Sequence, residues 1–451
     1  GASEDPDAKR EHLLEINGAV AGGQLGLRLS YSRLQYNAET IEDLAERYQK
    51  ELLKLIEHCR AEHAGGRTPS DYPLARLSQA EVDQIAGDGR GVEDIYPVTP
   101  LQQGLLFHAL YAPAAGFYHQ QLGCNISGGF DPATFIRAWH EVIDRHAILR
   151  TGFVWEGLPA PLQVVQLRAQ LPVDEYDWRE LPAAEQAKRW EQVRIEDRAR
   201  GFDLGQASLM RLIIARLAED SYGLIWSHHH LLLDGWCLSV VIKEVFTTYE
   251  QLLRGVEVQK PGNRPYRDYI AWLQQQDLAQ AEQFWRETLR GFQLPTALPM
   301  ARRPIERETE RNGLSEQGQR WVRLTLEQTQ RLQELARNEQ VTMNTVLQGA
   351  WALLLARYSG THDVVFGTTV SGRPAELVGV EQMIGMFINA LPVRVHVNEH
   401  QRVWDWLREL QEQQVEMRQY EYSPLVQVQQ WSEVEAGTAL FETLLTYENF
   451  P

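Results

Sequence analysis

The stretch Leu224-Ile225-Trp226-Ser227-His228-His229-His230-Leu231-Leu232-Leu233-Asp234-Gly235-Trp236 constrains this chain most. An apolar run that ends in three histidines reads as the edge of a buried strand. The acid and glycine after the three leucines have no place in a core. Upstream, Leu209 to Ala215 reads as a strand, Glu219-Asp220 as a turn and Tyr222 to His228 as a second strand; downstream, Cys237 to Arg254 keeps helical spacing. Strand, turn, strand, loop and helix in that order put the histidines between a central strand and a helix, on a rigid element. Successive side chains on a strand point to opposite faces, so His229 and His230 cannot both face one ligand while the strand lasts. One is expected to work and the other to support it. His228, at the end of the apolar strand, reads as a core residue.

Length and composition set the frame. At 451 residues the chain exceeds the size at which one core keeps growing, so two lobes of ordinary domain size plus extra segments are expected. Hydrophobic residues at 43% and 13 tryptophans fit a globular chain. No apolar run approaches the roughly 20 residues that span a bilayer, and none at the start resembles a signal peptide. Cys59, Cys124 and Cys237 lack the spacing of a disulfide framework or a zinc cluster, which is read as a reducing cytoplasm. A formal charge of -17 opposes general attraction to nucleic acid or anionic membrane, so a phosphorylated partner must meet a local basic patch.

Along the chain, Gly1-Ala2-Ser3 reads as a tag remnant. Leu25, Leu27, Leu29 and Tyr31 alternate as a half-buried strand, and a helix follows Asn37, with Thr40 and Asp43 resembling a capping box. One strand and one helix make no core, so this piece must dock on something else. Gly87-Asp88-Gly89-Arg90-Gly91 marks a boundary. Tyr96-Pro97-Val98-Thr99-Pro100 then enters a helix, and a second helix runs from near Asp131 to Arg145. Arg150, set among apolar residues, reads as a buried partner for an acid. The later part predicts a strand over 321–324, helices over 326–337 and 344–358, and a strand over 364–370.

His229-His230-x-x-x-Asp234-Gly235 resembles the pattern of the condensation domain superfamily of nonribosomal peptide synthetases, which shares its core motif with chloramphenicol acetyltransferase. Companions stand in the family's order: Tyr96 to His108, Arg145 to Phe153, Pro265 to Leu273, and Ile384 to Pro392, with Ala390 in place of the usual Thr. The resemblance implies an α/β (α+β) fold of two chloramphenicol-acetyltransferase-like lobes in a V-shaped pseudo-dimer. The expected layout is 1–62, the tail of an upstream epimerization domain; 63–92, a linker; 93–265, the N-terminal lobe; and 266–451, the C-terminal lobe. The family continues past the point matching Pro451 with a strand and a last helix, and residues 10 to 60 are expected to fill that place.

The implied reaction is attack of a carrier-bound aminoacyl amine on a carrier-bound peptidyl thioester. His230 is the implied catalytic residue, acting as base or by positioning, with the Gly235 amide facing the reacting oxygen. His229, Asp234, Trp236, Arg150 and Arg373 are expected to support the site, Arg150 and Arg373 being the candidate ion-pair partners of Asp234. Asn389, Tyr96 and Gln103 are expected along the substrate tunnel. No metal or resident cofactor is implied; 4'-phosphopantetheine belongs to the donor and acceptor carrier proteins, with adenylation and epimerization domains adjacent. Asp234-Gly235-Trp236-Cys237-Leu238 and the Tyr96 stretch resemble the subtype that takes a donor ending in a D-residue. A heterocyclization domain would replace the histidines with acids, and an epimerization domain would carry a Glu-rich motif that is not found. The alternative is a catalytically inactive condensation-like module that binds carrier proteins or recruits tailoring enzymes.

Overall fold

The computed structural model describes residues 12–60, 66–111, 116, 118–259, 262, 264–299 and 318–448. The Gly1-Ala2-Ser3 remnant, the 62/63 boundary and the last residues of the terminal motif lie outside them. Contacts divide the chain into two compact units, Gly1–Arg67 with Ala86–Arg90, and Thr68–Ile85 with Gly91–Pro451.

The first unit holds a hairpin, β1 (Leu14–Ala21) and β2 (Gln24–Tyr31), and one long helix, α1 (Ala38–Arg60). Strand β1 corrects the expectation of a single strand. Gly22 and Gly23 both take positive φ, 57° and 80°, and join Ala21 to its ladder partner Gln24 in the tight two-residue turn that glycine favours. Helix α1 starts earlier than the Thr40 capping box predicts: the N–H groups of Thr40 and Ile41 already bond to the Asn37 carbonyl, and Asp43 pairs with Arg47 at 2.8 Å. Ile41 is buried, while Leu44, Tyr48, Leu55 and Ile56 on the same stripe stay exposed.

The second unit opens with α2 (Gln79–Ala86), β3 (Val92–Pro97) and α3 (Pro100–Tyr111). Its larger sheet has the order β4-β9-β8-β7, from β4 (His119–Ser127), β7 (Val173–Asp177), β8 (Met210–Ala218) and β9 (Ser221–His229); only β7 and β8 run parallel. A smaller sheet orders β3, β6 (Leu162–Gln166) and β5 (Thr151–Val154). Helices α4 (Pro132–Arg145) and α6 (Gly235–Leu253) bury Phe135, Trp139, Val241 and Val245 with Leu224 and Trp226, the Trp139 and Trp226 rings 4.9 Å apart. Helix α5 (Ala183–Arg200) buries Val193 with Ile213 and Ile225, the alternate residues of β8 and β9.

Short helices α7 (Arg267–Leu273) and α8 (Leu278–Thr288) lead to α9 (Leu326–Asn338), α10 (Met343–Ser359), β10 (Asp363–Val370), β11 (Asn389–His396), α11 (Val403–Met417), α12 (Leu425–Trp431) and β12 (Leu444–Leu445). The sheet β11-β10-β12 packs Val364, Phe366, Leu391 and Val393 against Ala352, Leu355 and Leu407. The predicted strand over 321–324 does not form: no ladder takes these residues, and Trp321 and Val322 are exposed. Tyr266, Met386 and Phe387 join the first lobe's core, so the loop before β11 is built into the wall of that lobe.

Candidate active site

Strand β9 stops at His229, which pairs across the ladder with His119 of β4, while His228 pairs with Met210 of β8. Alternation sends His228 into the core beside Trp226, ring centroids 4.8 Å apart, where its Nδ1 finds no partner among the described residues. His229 takes the opposite face, between the edges of Tyr118 and Phe202. Burial, with the charge of His230 second, lowers both rings to about 3, so each is neutral across the ordinary pH range.

Beyond His229 the chain leaves the ladder, and its backbone polar groups find partners one by one. The His230 N–H donates to the Tyr118 carbonyl at 2.8 Å and the Leu232 N–H to the His229 carbonyl at 3.1 Å. The Leu231 N–H donates to His229 Nδ1 at 3.2 Å. The Leu231 carbonyl accepts from Gln102 Nε2 at 2.8 Å. Leu231, Leu232 and Leu233 bury their side chains almost completely, anchoring the turn. His229 Nδ1 thus holds the backbone of the residue after His230. Gln102 is the support that the motif pattern does not reveal. Its neighbour Gln103, expected along the substrate tunnel, is exposed; Gln102 shares a helix face with buried Leu105 and Leu106, and that spacing is the available signal.

His230 itself is half-buried, and its Nδ1 lies 2.7 Å from the Leu233 carbonyl. A carbonyl oxygen only accepts, so Nδ1 carries the proton and the neutral ring keeps its lone pair on Nε2.

Asp234 is fully buried and holds three partners. Its Oδ1 accepts from the Cys237 N–H at 3.0 Å, capping α6; its Oδ2 accepts from the Phe387 N–H at 3.2 Å; and Arg373 Nη2 stands 3.3 Å from both oxygens. Arg373 also donates to the Val380 and Met383 carbonyls and stacks its guanidinium over Phe387 at 3.9 Å. Of the two expected partners of Asp234, the acid takes Arg373. Arg150 lies elsewhere: it is buried at the end of the short turn Ala147–Arg150 that leads into β5, 2.7 Å from Glu93, and donates to the carbonyls of Ile143 and Gln166. It braces the first lobe and not the histidine loop.

Gly235 opens α6 without a left-handed φ, so its smallness is not needed for backbone strain. Its N–H belongs to the first helical turn, whose donors have no partner within the helix. Trp236 Nε1 donates to the Glu381 carbonyl at 3.0 Å, and the buried Cys237 thiol lies 3.2 Å from the Gly385 carbonyl. The remaining tunnel candidates do other work. Tyr96 is buried in the core of the first lobe, where burial pushes its hydroxyl up. Asn389 Nδ2 donates to the Glu421 and Ser423 carbonyls at 2.9 and 2.7 Å. Among the described residues no group of three or more His, Cys, Asp or Glu could hold a metal ion, and no helix is long and apolar enough to cross a membrane.

Residues 92–451 match the family model of the condensation domain, and the chain belongs to that family. It is 46% identical over 451 residues to one of the linear gramicidin synthase proteins of Brevibacillus parabrevis, covering 100% of this chain and 6% of that protein. Bacitracin synthase 3 of Bacillus licheniformis is 36% identical over 442 residues, 98% of this chain and 7% of that protein. The chain thus spans less than a tenth of these two relatives. Among solved structures, the first condensation domain of the calcium-dependent antibiotic synthetase, in complex with a substrate analogue, superposes with a TM-score of 0.60 at 18% identity, covering 78% of this chain and 79% of that one. At that identity the likeness is one of fold. The mixed α/β class and the acetyltransferase-like lobes expected from the motifs are those of this family.

Proposed function

We propose that this chain forms a peptide bond between two carrier-bound substrates, the amine of an aminoacyl thioester attacking the carbonyl of an upstream peptidyl thioester. The observation that carries the reading is the 2.7 Å contact from His230 Nδ1 to the Leu233 carbonyl, which leaves Nε2 bare on a half-buried ring. An α-amino group titrates near 7.7–8.0, so a useful fraction is already neutral, and a thioester is an activated acyl group. His230 Nε2 takes the proton the attacking amine sheds, and the Gly235 N–H faces the carbonyl oxygen as charge develops there. His229, Asp234, Trp236 and Arg373 hold this geometry. The phosphopantetheine arms belong to donor and acceptor carrier proteins.

The donor is proposed to end in a D-residue. Two stretches support this, Tyr96 to His108 and Asp234 to Leu238, which resemble the subtype working after an epimerization domain. Residues 1–62 are proposed to be the closing piece of such a domain, and the exposed apolar stripe of α1 suits an element made to pack on a core of its own. The test is single-turnover condensation between two loaded carrier proteins, with donors ending in a D- or an L-residue and with His230→Ala alongside. Product from the D-donor alone, lost in the variant, is expected. Unchanged turnover in His230→Ala removes the site assignment, and equal use of both donors removes the subtype. Carrier binding without product from either donor favours the inactive module.

A further inference from the structure

Further along the chain stands a half-buried carboxyl that no step above uses. Glu421 follows α11 and the short turn Arg418–Tyr420, and one of its oxygens accepts the Gly372 N–H at 3.0 Å. Its segment is held rigidly. Asn389 Nδ2 grips the carbonyls of Glu421 and Ser423, Ser423 Oγ donates to the Tyr420 carbonyl at 2.7 Å, and Trp285 Nε1 donates to the same hydroxyl at 2.9 Å.

What Glu421 holds is a constrained point of backbone. Gly372 has φ +61°, and a Cβ there would lie 1.8 Å from the Phe387 carbonyl oxygen. Only glycine passes, and the chain is pressed against the same residue whose N–H bonds to Asp234. The next residue is Arg373, the cation that pairs with Asp234.

We propose that Glu421 is a positioning residue for condensation: through the Gly372 N–H it sets Arg373, and through the Arg373–Asp234 pair it sets the turn that carries His230. The inference rests on the reading of His230 given above. Burial raises the Glu421 carboxyl above its usual range, with the Gly372 N–H and Arg418 pulling it back. The position therefore asks for a hydrogen-bond acceptor more than for a charge. A glutamine carries an acceptor of the same reach, whereas alanine leaves the Gly372 N–H without one.

The experiment compares Glu421→Ala, Glu421→Gln and His230→Ala in single-turnover condensation between loaded carrier proteins, with thermal melts of each. Glu421→Ala is expected to lower the rate at saturating carrier by about tenfold, in line with the cost of small misplacements in a site. Half-saturating carrier concentration stays near the parent's, the melting temperature falls by about 1–4 °C, and Glu421→Gln recovers most of the loss in rate. An Ala variant as fast as the parent overturns the proposal. So does a Gln variant as slow as Ala, or a loss confined to carrier affinity. If His230→Ala keeps its turnover, the reading of His230 fails first; if it is inactive while Glu421→Ala is unaffected, only the positioning role fails.

Discussion

Asp234→Asn is the sharpest perturbation of this site because it preserves shape and changes only charge and one hydrogen-bonding role. The carboxylate now accepts from the Cys237 and Phe387 N–H groups, one on each oxygen, and faces Arg373 with both. An asparagine keeps one oxygen and turns the other into an NH2 donor. That donor meets the N–H of Cys237 or of Phe387, so one buried amide loses its acceptor whichever way the side chain points. Leaving a buried donor unsatisfied costs about 1–3 kcal/mol and losing a hydrogen bond to a charged group about 1.5–3 kcal/mol. The two ranges sum to about 2.5–6 kcal/mol, and the middle of that span, about 3–5 kcal/mol, is the range found when a buried ion pair is broken from one side. For a unit of about 380 residues an unfolding entropy of about 0.8 kcal/mol/K converts this into a melting temperature about 4–6 °C lower. Because Asp234 closes the turn behind His230, single-turnover condensation should fall by about tenfold or more as well. Differential scanning fluorimetry and the two-carrier assay read both effects. A variant that melts within about 1 °C of the parent and condenses within about twofold of it would refute the view of Asp234 as the brace between the start of α6 and the loop before β11.

Gln102→Leu leaves the buried Leu231 carbonyl and the Thr99 N–H without partners and should cost about 2–4 kcal/mol in denaturant unfolding, while Gln103→Leu on the exposed face stays within about 0.5 kcal/mol. His228 and His229 titrate at about 3 in the fold against about 6.5 when unfolded. The unfolded chain therefore binds more protons between those values, so the contribution of the two rings is whole above pH 6.5 and is lost as pH falls toward 3. The melting temperature should drop over that window, and His228→Leu, which also removes an unpartnered buried nitrogen, should flatten the drop in a pH series of melts.

What the sequence made legible was local. The pairing of β8 with β9 and the entry into α6 followed from apolar periodicity and turn residues, and the helices α9 and α10 did so too. Strand β1 was missed because Gly18, Gly22, Gly23 and Gly26 dilute the alternation of the hairpin, and residues 321–324 were misread because alternation alone cannot supply a ladder partner. In the site, the identity of the loop was readable from its motif, but its supports were not. Arg373 lies 139 residues from Asp234, and nothing in the two local sequences ties them; Arg150, the rival, fits equally well by sequence and pairs instead with Glu93. Tyr96 and Asn389 sit in recognisable motifs, yet one fills a core and the other bonds to backbone carbonyls, because such stretches preserve architecture as well as chemistry.

The group behind His230 bears on the chemistry proposed for it. In hydrolase triads a buried carboxylate stands at the rear nitrogen and stabilises the imidazolium that forms. Here a neutral carbonyl stands there, and the nearest acid along the chain, Asp234, is committed to Arg373 and two backbone amides. A full positive charge on His230 would thus meet a carbonyl dipole at Nδ1 and not a carboxylate. Such a ring suits a reaction that never needs a strong base: the nucleophile is an amine already partly neutral, and after attack its nitrogen becomes an acidic ammonium that gives up a proton easily. The same carbonyl performs a second task that a carboxylate would do no better, fixing the tautomer and the ring plane. The loop is accordingly held in one orientation, with contacts from α3, the residue before β4, β9 and the loop before β11 converging on five residues, and the reaction proposed above uses the lone pair of Nε2.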